Sequence, residues 1–354
     1  MLVKKNIFLQ FAALVTCGLL VMSSNSTAQQ NVDIFLRKYS QQDGLSSFFV
    51  HQVIQDKNGF LYVATQEGLD RFDGTQFIHY RKTNEEGYRL AGIDIRSTVE
   101  DTANNLLWVL PGENGANAIN TITGKITKFI PVIKDNENEW NLTLFLDNQK
   151  LFIGTSVGVK VYDTKQGKFL NKLALYKINP NKSGGYQVRA INKDKNGNIW
   201  VCYSGYGIVI YNQQLSPTGF ISNDELIGAG IKNDLIRLNG LLFIDKGKVL
   251  VATSKGLRKV MFTQTYQSII VDKTPSSIND EINFFPVQSM CLSRDGRVYI
   301  AGSKHLYRFD TSLSRYDVIQ EVIFENGNNW LANVLSIFED EDNNIWLGCN
   351  QGLA

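Results

Sequence analysis

The sequence predicts an all-β fold: a seven-bladed β-propeller of four-stranded blades, closed by an amino-terminal strand and with its last blade truncated. Three observations carry this. One pattern recurs along the chain: an alternating apolar stretch, an Asp-led turn, an aromatic or apolar strand with small residues, then Gly and another strand. Its period is regular, because the central strand residues Tyr62, Trp108, Phe152, Trp200, Leu250, Tyr299 and Trp346 are separated by 46, 44, 48, 50, 49 and 47 positions. No stretch of helical periodicity interrupts the copies, and four short strands at this spacing describe a propeller blade rather than a helical solenoid.

The elements follow from local chemistry, taken in order. In the first repeat Val53-Ile54-Gln55 leads into Asp56-Lys57-Asn58-Gly59, and Asp or Asn followed by Gly supplies the backbone angles of a tight hairpin turn. The same tetrad stands at 194 to 197, an offset of 138, or three times 46. The second strand, Leu61 to Thr65, places Leu61 and Val63 on one side and Tyr62 and Ala64 on the other. A third strand begins at Gly68-Leu69 and a fourth at Gln76-Phe77-Ile78-His79-Tyr80. Residues 34 to 39, Ile-Phe-Leu-Arg-Lys-Tyr, resemble that fourth strand and precede any blade of their own, so they are expected to complete the seventh blade and remove an open sheet edge. The seventh repeat reaches only Gly352-Leu353-Ala354, which leads us to expect a fragment of a longer protein or a shortened reading frame.

Composition bounds the function. Hydrophobic residues make up 43% of the 354, enough for a large core. Residues 1 to 28 read as a cleaved secretory signal, with Lys4 and Lys5 before a mostly apolar run and Ser26-Thr27-Ala28 at the cleavage site, leaving 29 to 354 as the propeller. The expected location is periplasmic or extracellular. Without that segment the charge is 36 − 2 = 34 basic against 34 acidic residues, and no clustered basic surface suggests a nucleic-acid partner. Cys202, Cys291 and Cys349, each in or beside a strand of a different repeat, read as small core residues.

Gly44-Leu45-Ser46-Ser47, the turn at 56 to 59, Tyr62-Val63-Ala64-Thr65, Gly68-Leu69 and Arg71-Phe72-Asp73-Gly74 resemble the two-component regulator propeller repeat. Ile337-Phe338-Glu339-Asp340 with Ile345-Trp346-Leu347-Gly348 is similar, whereas repeats two and three lack the turn glycine. The resemblance implies the periplasmic sensor region of a Bacteroidetes-type hybrid two-component histidine kinase. It further implies an oligosaccharide ligand, a following propeller, sandwich and kinase in the same parent chain beyond residue 354, and pairing of two copies through that parent.

Candidate site residues come from the loops that enter each innermost strand and those that join second to third strands. They hold Phe48, Glu67, Tyr88, Arg89, Glu113, Trp140, Tyr186, Tyr203, Tyr206, Lys255, His305 and Trp330. Of these, Glu67, Tyr88, Arg89, Trp140, Tyr186, Tyr203, Tyr206, His305 and Trp330 are the ligand-binding candidates, since flat aromatic faces stack on sugar rings while polar groups meet hydroxyls. The competing reading is that the aromatics wedge neighbouring blades together. No cofactor, catalytic residue or metal site is predicted. His51 and His79, expected on adjoining strands of one blade, and His305 show no zinc spacing. Asp340, Asp342 and Asn344 alternate like the start of a calcium loop but lack its glycine and final acid. Two rival functions stay open: a propeller lyase or hydrolase, for which Glu67 and His305 are the only pair to nominate, and an exported interaction scaffold.

Overall fold

A computed structural model describes residues 30–31, 34–131, 135, 137–170, 173–175, 186–227, 236–263, 265–266, 269–273, 282, 286–302, 305–310, 312–313, 316–319, 322–324 and 333–354. The segment read as a signal peptide lies outside them. The strands form a ring of seven antiparallel blades. Blade one runs Val50–Gln55, Leu61–Thr65, Gly68–Phe72 and Phe77–Tyr80 from the axis outward. The innermost strands of the other six are Ile95–Asp101, Asn141–Asp147, Val188–Lys193, Leu238–Asp245, Ser289–Leu292 and Val334–Glu339.

The Asp of each well-formed repeat is a structural post. The Asp194 carboxylate accepts the backbone N–H groups of Asn196 at 2.9 Å and Asn198 at 3.0 Å through one oxygen, which fixes the hairpin turn. Its other oxygen accepts the buried indole N–H of Trp200 at 2.9 Å and the Tyr266 hydroxyl. Asp340 does the same with the amides of Asp342 and Asn344 and the indole of Trp346 at 2.7 Å. The alternation that looked like a calcium loop is therefore a turn whose first carboxylate is already engaged. In blade one, Tyr62 replaces the Trp, and the second oxygen of Asp56 makes no hydrogen bond. Where repeats two and three lack glycine, Asn105 and Asn148 adopt φ near 53° and supply the left-handed residue instead.

The core is divided among the seven blade junctions, with one apolar cluster at each. Leu61 and Val63 face the seventh blade, in a cluster with Leu353, while Tyr62 and Ala64 face the second blade, with Leu107 and Val109. Cys202 and Cys349 lie in such clusters, Cys291 packs beside one, and none is bonded to another. Burial pushes the Cys291 thiol up to about 11 and the Cys349 thiol to about 12, so neither is a ready nucleophile.

Closure uses the amino-terminal segment, in a way the sequence only partly predicts. Tyr39 and Leu353 exchange backbone hydrogen bonds of 2.7 and 3.1 Å, an antiparallel bridge that supplies the outer edge of blade seven. Gly352 shows that Tyr39 stands where an outer strand stands. It has φ of 131°, and a Cβ there would meet the Tyr39 carbonyl at 2.8 Å, just as one at Gly68 would meet the Tyr80 carbonyl at 2.7 Å. Ile34–Leu36, expected in the same strand, instead pair in parallel with Val322–Phe324, and Gln30–Asn31 add in parallel to the outer strand of blade six, Tyr316–Ile319. The third strand of blade seven, Gly352–Leu353, is two residues long and gives that segment one bridge to pair with.

The difference between the Asp posts is measurable. Asp194→Ala strips acceptors from two turn amides, a buried indole and a tyrosine, and is expected to cost about 2–4 kcal/mol, against about 1–2 kcal/mol for Asp56→Ala. Urea unfolding of both variants checks this; equal losses would show that the bond to the tryptophan contributes nothing.

Candidate functional site

Antiparallel strand order brings the loops entering the innermost strands and the loops between second and third strands to one end of the ring. At that end all but one of the innermost strands open with an irregularity. In six blades the pairing skips one residue against the second strand, as between Val50 and Gln52, Ile95 and Ser97, and Val188 and Ala190. The same skip occurs at Asn141/Thr143, Leu238/Gly240 and Val334/Ser336. A β-bulge leaves one residue unpaired and re-aims its side chain. The bulged residues are His51, Arg96, Leu142, Arg189, Asn239 and Leu335, and Gln288 holds the equivalent place in blade six. All seven line one central cavity of about 320 Å³.

In four blades the residue after this position ties its blade to the next. Ser336 accepts the Val53 N–H at 3.1 Å across the closure, Gln52 the Thr98 N–H at 2.6 Å, Ser97 the Leu144 N–H at 3.1 Å and Ser289 the Ile337 N–H at 3.2 Å. In blades one, two and seven one local distortion thus both turns a side chain into the channel and bonds its blade to the next.

The ring is electrically uneven. His51 Nε2 lies 2.9 Å from one Asp94 oxygen, and Arg96 donates to the other. Burial alone would raise the Asp94 carboxyl, but the His51 hydrogen bond and the Arg96 charge outweigh it and hold the group below its ordinary 3.8. Across the channel, Arg189 has no ion pair among the described residues, and its buried Nε makes no hydrogen bond. Burial lowers its guanidinium from the ordinary value, and repulsion from Arg237 and Arg96 adds to that.

The candidates read from sequence fall into separate groups. Trp140 is 41% exposed and stands beside the ring: a Cβ on Gly112 would lie 3.0 Å from its ring and 3.3 Å from Arg96 Nε. Tyr186, Tyr203 and Tyr206 form one aromatic group, with centroids 4.8 to 6.5 Å apart, in the cluster between blades three and four. Tyr88 packs on Tyr80 at 5.5 Å, between blades one and two. Arg89 is exposed and lines a groove of about 530 Å³ with Lys82, Asn114 and Phe129. Glu67 is exposed on blade one, whereas His305 is half-buried on blade six, 6.0 Å from the Tyr307 ring, so blade seven separates the two. Trp330 lies outside the described residues.

The bulge ring itself was not read from sequence. Its trace is there, a variable residue between an apolar one and a small or polar one at the repeat period, as in Val50-His51-Gln52, Ile95-Arg96-Ser97 and Val334-Leu335-Ser336.

The histidines correct another expectation. His51 is on the innermost strand of blade one and His79 on the outermost, because the repeat's four strands follow in chain order. His79 meets Asp70 and Ser46, which suggests a nucleophilic triad. Both partners, however, reach the same atom: Nδ1 is 2.7 Å from Asp70 and 3.1 Å from Ser46 Oγ. A serine, histidine and acid relay needs them on opposite ring nitrogens. Ser46 also takes a hydrogen bond from Arg81 at 3.0 Å, and the group pins the entry loop to the blade. Among the described residues no cluster of three or more metal-ligating side chains occurs.

A carboxyl with a lowered pKa stabilises the fold at pH above its ordinary value and loses that contribution as pH falls through the folded value. Asp94→Asn is therefore expected to be roughly 1–2 kcal/mol less stable than the parent at neutral pH. The gap should narrow as pH drops below the ordinary carboxyl value of 3.8. Unfolding curves at a series of pH values test this, and a gap that widens on acidification would contradict the assignment.

Residues 330–351 match the sequence pattern of the two component regulator propeller. Histidine kinase P4 of Formosa agariphila is 39% identical over 61 residues, which are 17% of this chain and 4% of that protein. Among solved structures, two are extracellular domains from B. thetaiotaomicron proteins described as hybrid two component systems. BT3049 aligns with a TM-score of 0.68 at 22% identity over 90% of this chain, and BT4673 with 0.66 at 18% over 92%. The chain spans 41% and 39% of those two. The WD40 propeller of Doa1 aligns with 0.62 at 12% identity, over 91% of this chain and 94% of that one, so the ring by itself does not separate functions. What the chain shares with the two component regulator propeller pattern is residues 330–351, on a closed seven-bladed ring.

Proposed function

We propose that this chain is the ligand-recognition propeller of the extracytoplasmic sensor region of a two-component signalling protein, that it recognises glycan fragments, and that it does no chemistry of its own. The observation that carries this is the repeat at 330–351 on a ring whose seven innermost strands each turn one side chain into a common channel. That end of the ring offers an exposed Trp140 beside Arg96, with the amides of Asn239 and Gln288 further round, and a sugar needs a flat apolar face and convergent polar groups. The basic start and apolar run of residues 1 to 28 support export. Signalling needs no reaction here: a ligand that binds one arrangement of domains better than another shifts the equilibrium by that difference. Kinase and partner domains of the parent protein would read out that shift.

Calorimetric titration with fractionated plant and algal oligosaccharides tests the reading. One fraction is expected to give saturable heat, to raise the melting temperature and to be recovered chemically unchanged. Trp140→Ala is expected to weaken that binding roughly 2- to 10-fold. A fraction returned cleaved would favour the lyase or hydrolase, and no heat from any fraction would reject glycan recognition.

A further inference from the structure

The central channel holds a charge imbalance that the fold does not use. Asp94 gives both its oxygens to His51 and Arg96, so that corner is neutralised. Arg189 projects from the equivalent bulge of blade four, with no carboxylate among the described residues and with its Nε buried and unbonded. A half-buried cation without a partner is still costly to desolvate, and a bulge that needs only a side chain pointing inward does not require one. Blades three and seven fill the same place with Leu142 and Leu335. The bulge position as such therefore does not call for an arginine.

We propose that the channel mouth is an anion site in which the Arg189 guanidinium receives a carboxylate carried by a small ligand, an acidic sugar. The inference rests on the glycan-recognition reading and narrows its ligand class. Guanidinium presents two parallel N–H donors that match the two oxygens of a carboxylate, which favours it over a spherical anion. The cavity of about 320 Å³ is of the size that encloses a small ligand. Arg237, exposed just before the innermost strand of blade five, is close enough to repel Arg189 and so adds to the positive field at the mouth. Trp140, beside Arg96, offers a face for the apolar side of a ring.

The test follows thermal unfolding of the purified chain at constant ionic strength with sodium glucuronate, sodium acetate and glucose. Glucuronate is expected to raise the melting temperature saturably. Arg189→Leu is expected to keep or raise the unliganded melting temperature and to weaken the glucuronate response at least ~10-fold. Arg189→Lys, which retains charge but loses the fork, should fall between the two, and it serves if the leucine variant does not fold. Identical glucuronate responses in parent and variants, or no response to either carboxylate, would overturn the site. A response to glucose or to a neutral glycan fraction with none to glucuronate leaves glycan recognition standing and removes this inference. Acetate as effective as glucuronate upholds the anion site and removes the sugar from it.

Discussion

The rest of the structure depends on the inability of any blade to cover itself. Each second strand is buried on both faces, so Leu61 and Val63 must find the blade before and Tyr62 and Ala64 the blade after. A row of such sheets leaves two apolar faces bare unless it curves back on itself. The bridge between Tyr39 and Leu353 and the bond from Val53 to Ser336 complete that circle, and the first and last blades share one apolar cluster. Fold and closure are a single requirement.

The circle also determines what the channel contains. Seven strands converging on an axis bring their first residues together, and a bulge at the start of six of them releases one side chain from the ladder. In four blades the neighbouring residue bonds to the next blade, so the ring is held there by one position while the position beside it faces the channel and is free to vary. This explains how His51, Leu142, Arg189 and Asn239 can occupy equivalent places. A scaffold of this kind can change its channel lining without changing its frame, which accords with the similarity of this ring both to the extracellular domain of BT3049 and to the WD40 propeller of Doa1.

Charge placement follows the same logic. Asp56, Asp194 and Asp340 stand at the far end of the innermost strands, where their carboxylates serve turn amides and, in two blades, an indole. Asp94 is at the channel end, shared between His51 and Arg96. The repeat's acids are consumed by structure, while the basic side chains of the ring exceed the acid beside them.

Fold class, blade number and most strand boundaries were legible because they rest on local chemistry that recurs, with variations, at every repeat: in most blades an Asp-led turn, an alternating strand and a glycine at or just before the start of the third strand. Local signals also showed that Asn could stand for Gly only after the fact, since Asn105 and Asn148 carry no neighbouring glycine to mark the turn. The candidate site was legible only in part. Tyr186, Tyr203 and Tyr206 stand on loops in sequence but pack against one another in a blade junction, which no single repeat can reveal. The sequence by itself determined the repeating unit and its count, because hydrogen bonding and turn geometry act over a few residues. Only the tertiary structure decided which side chains meet at the axis, that Arg189 has no counter-charge there among the described residues and that Tyr39 closes the ring, because these depend on contacts between residues dozens to hundreds of positions apart.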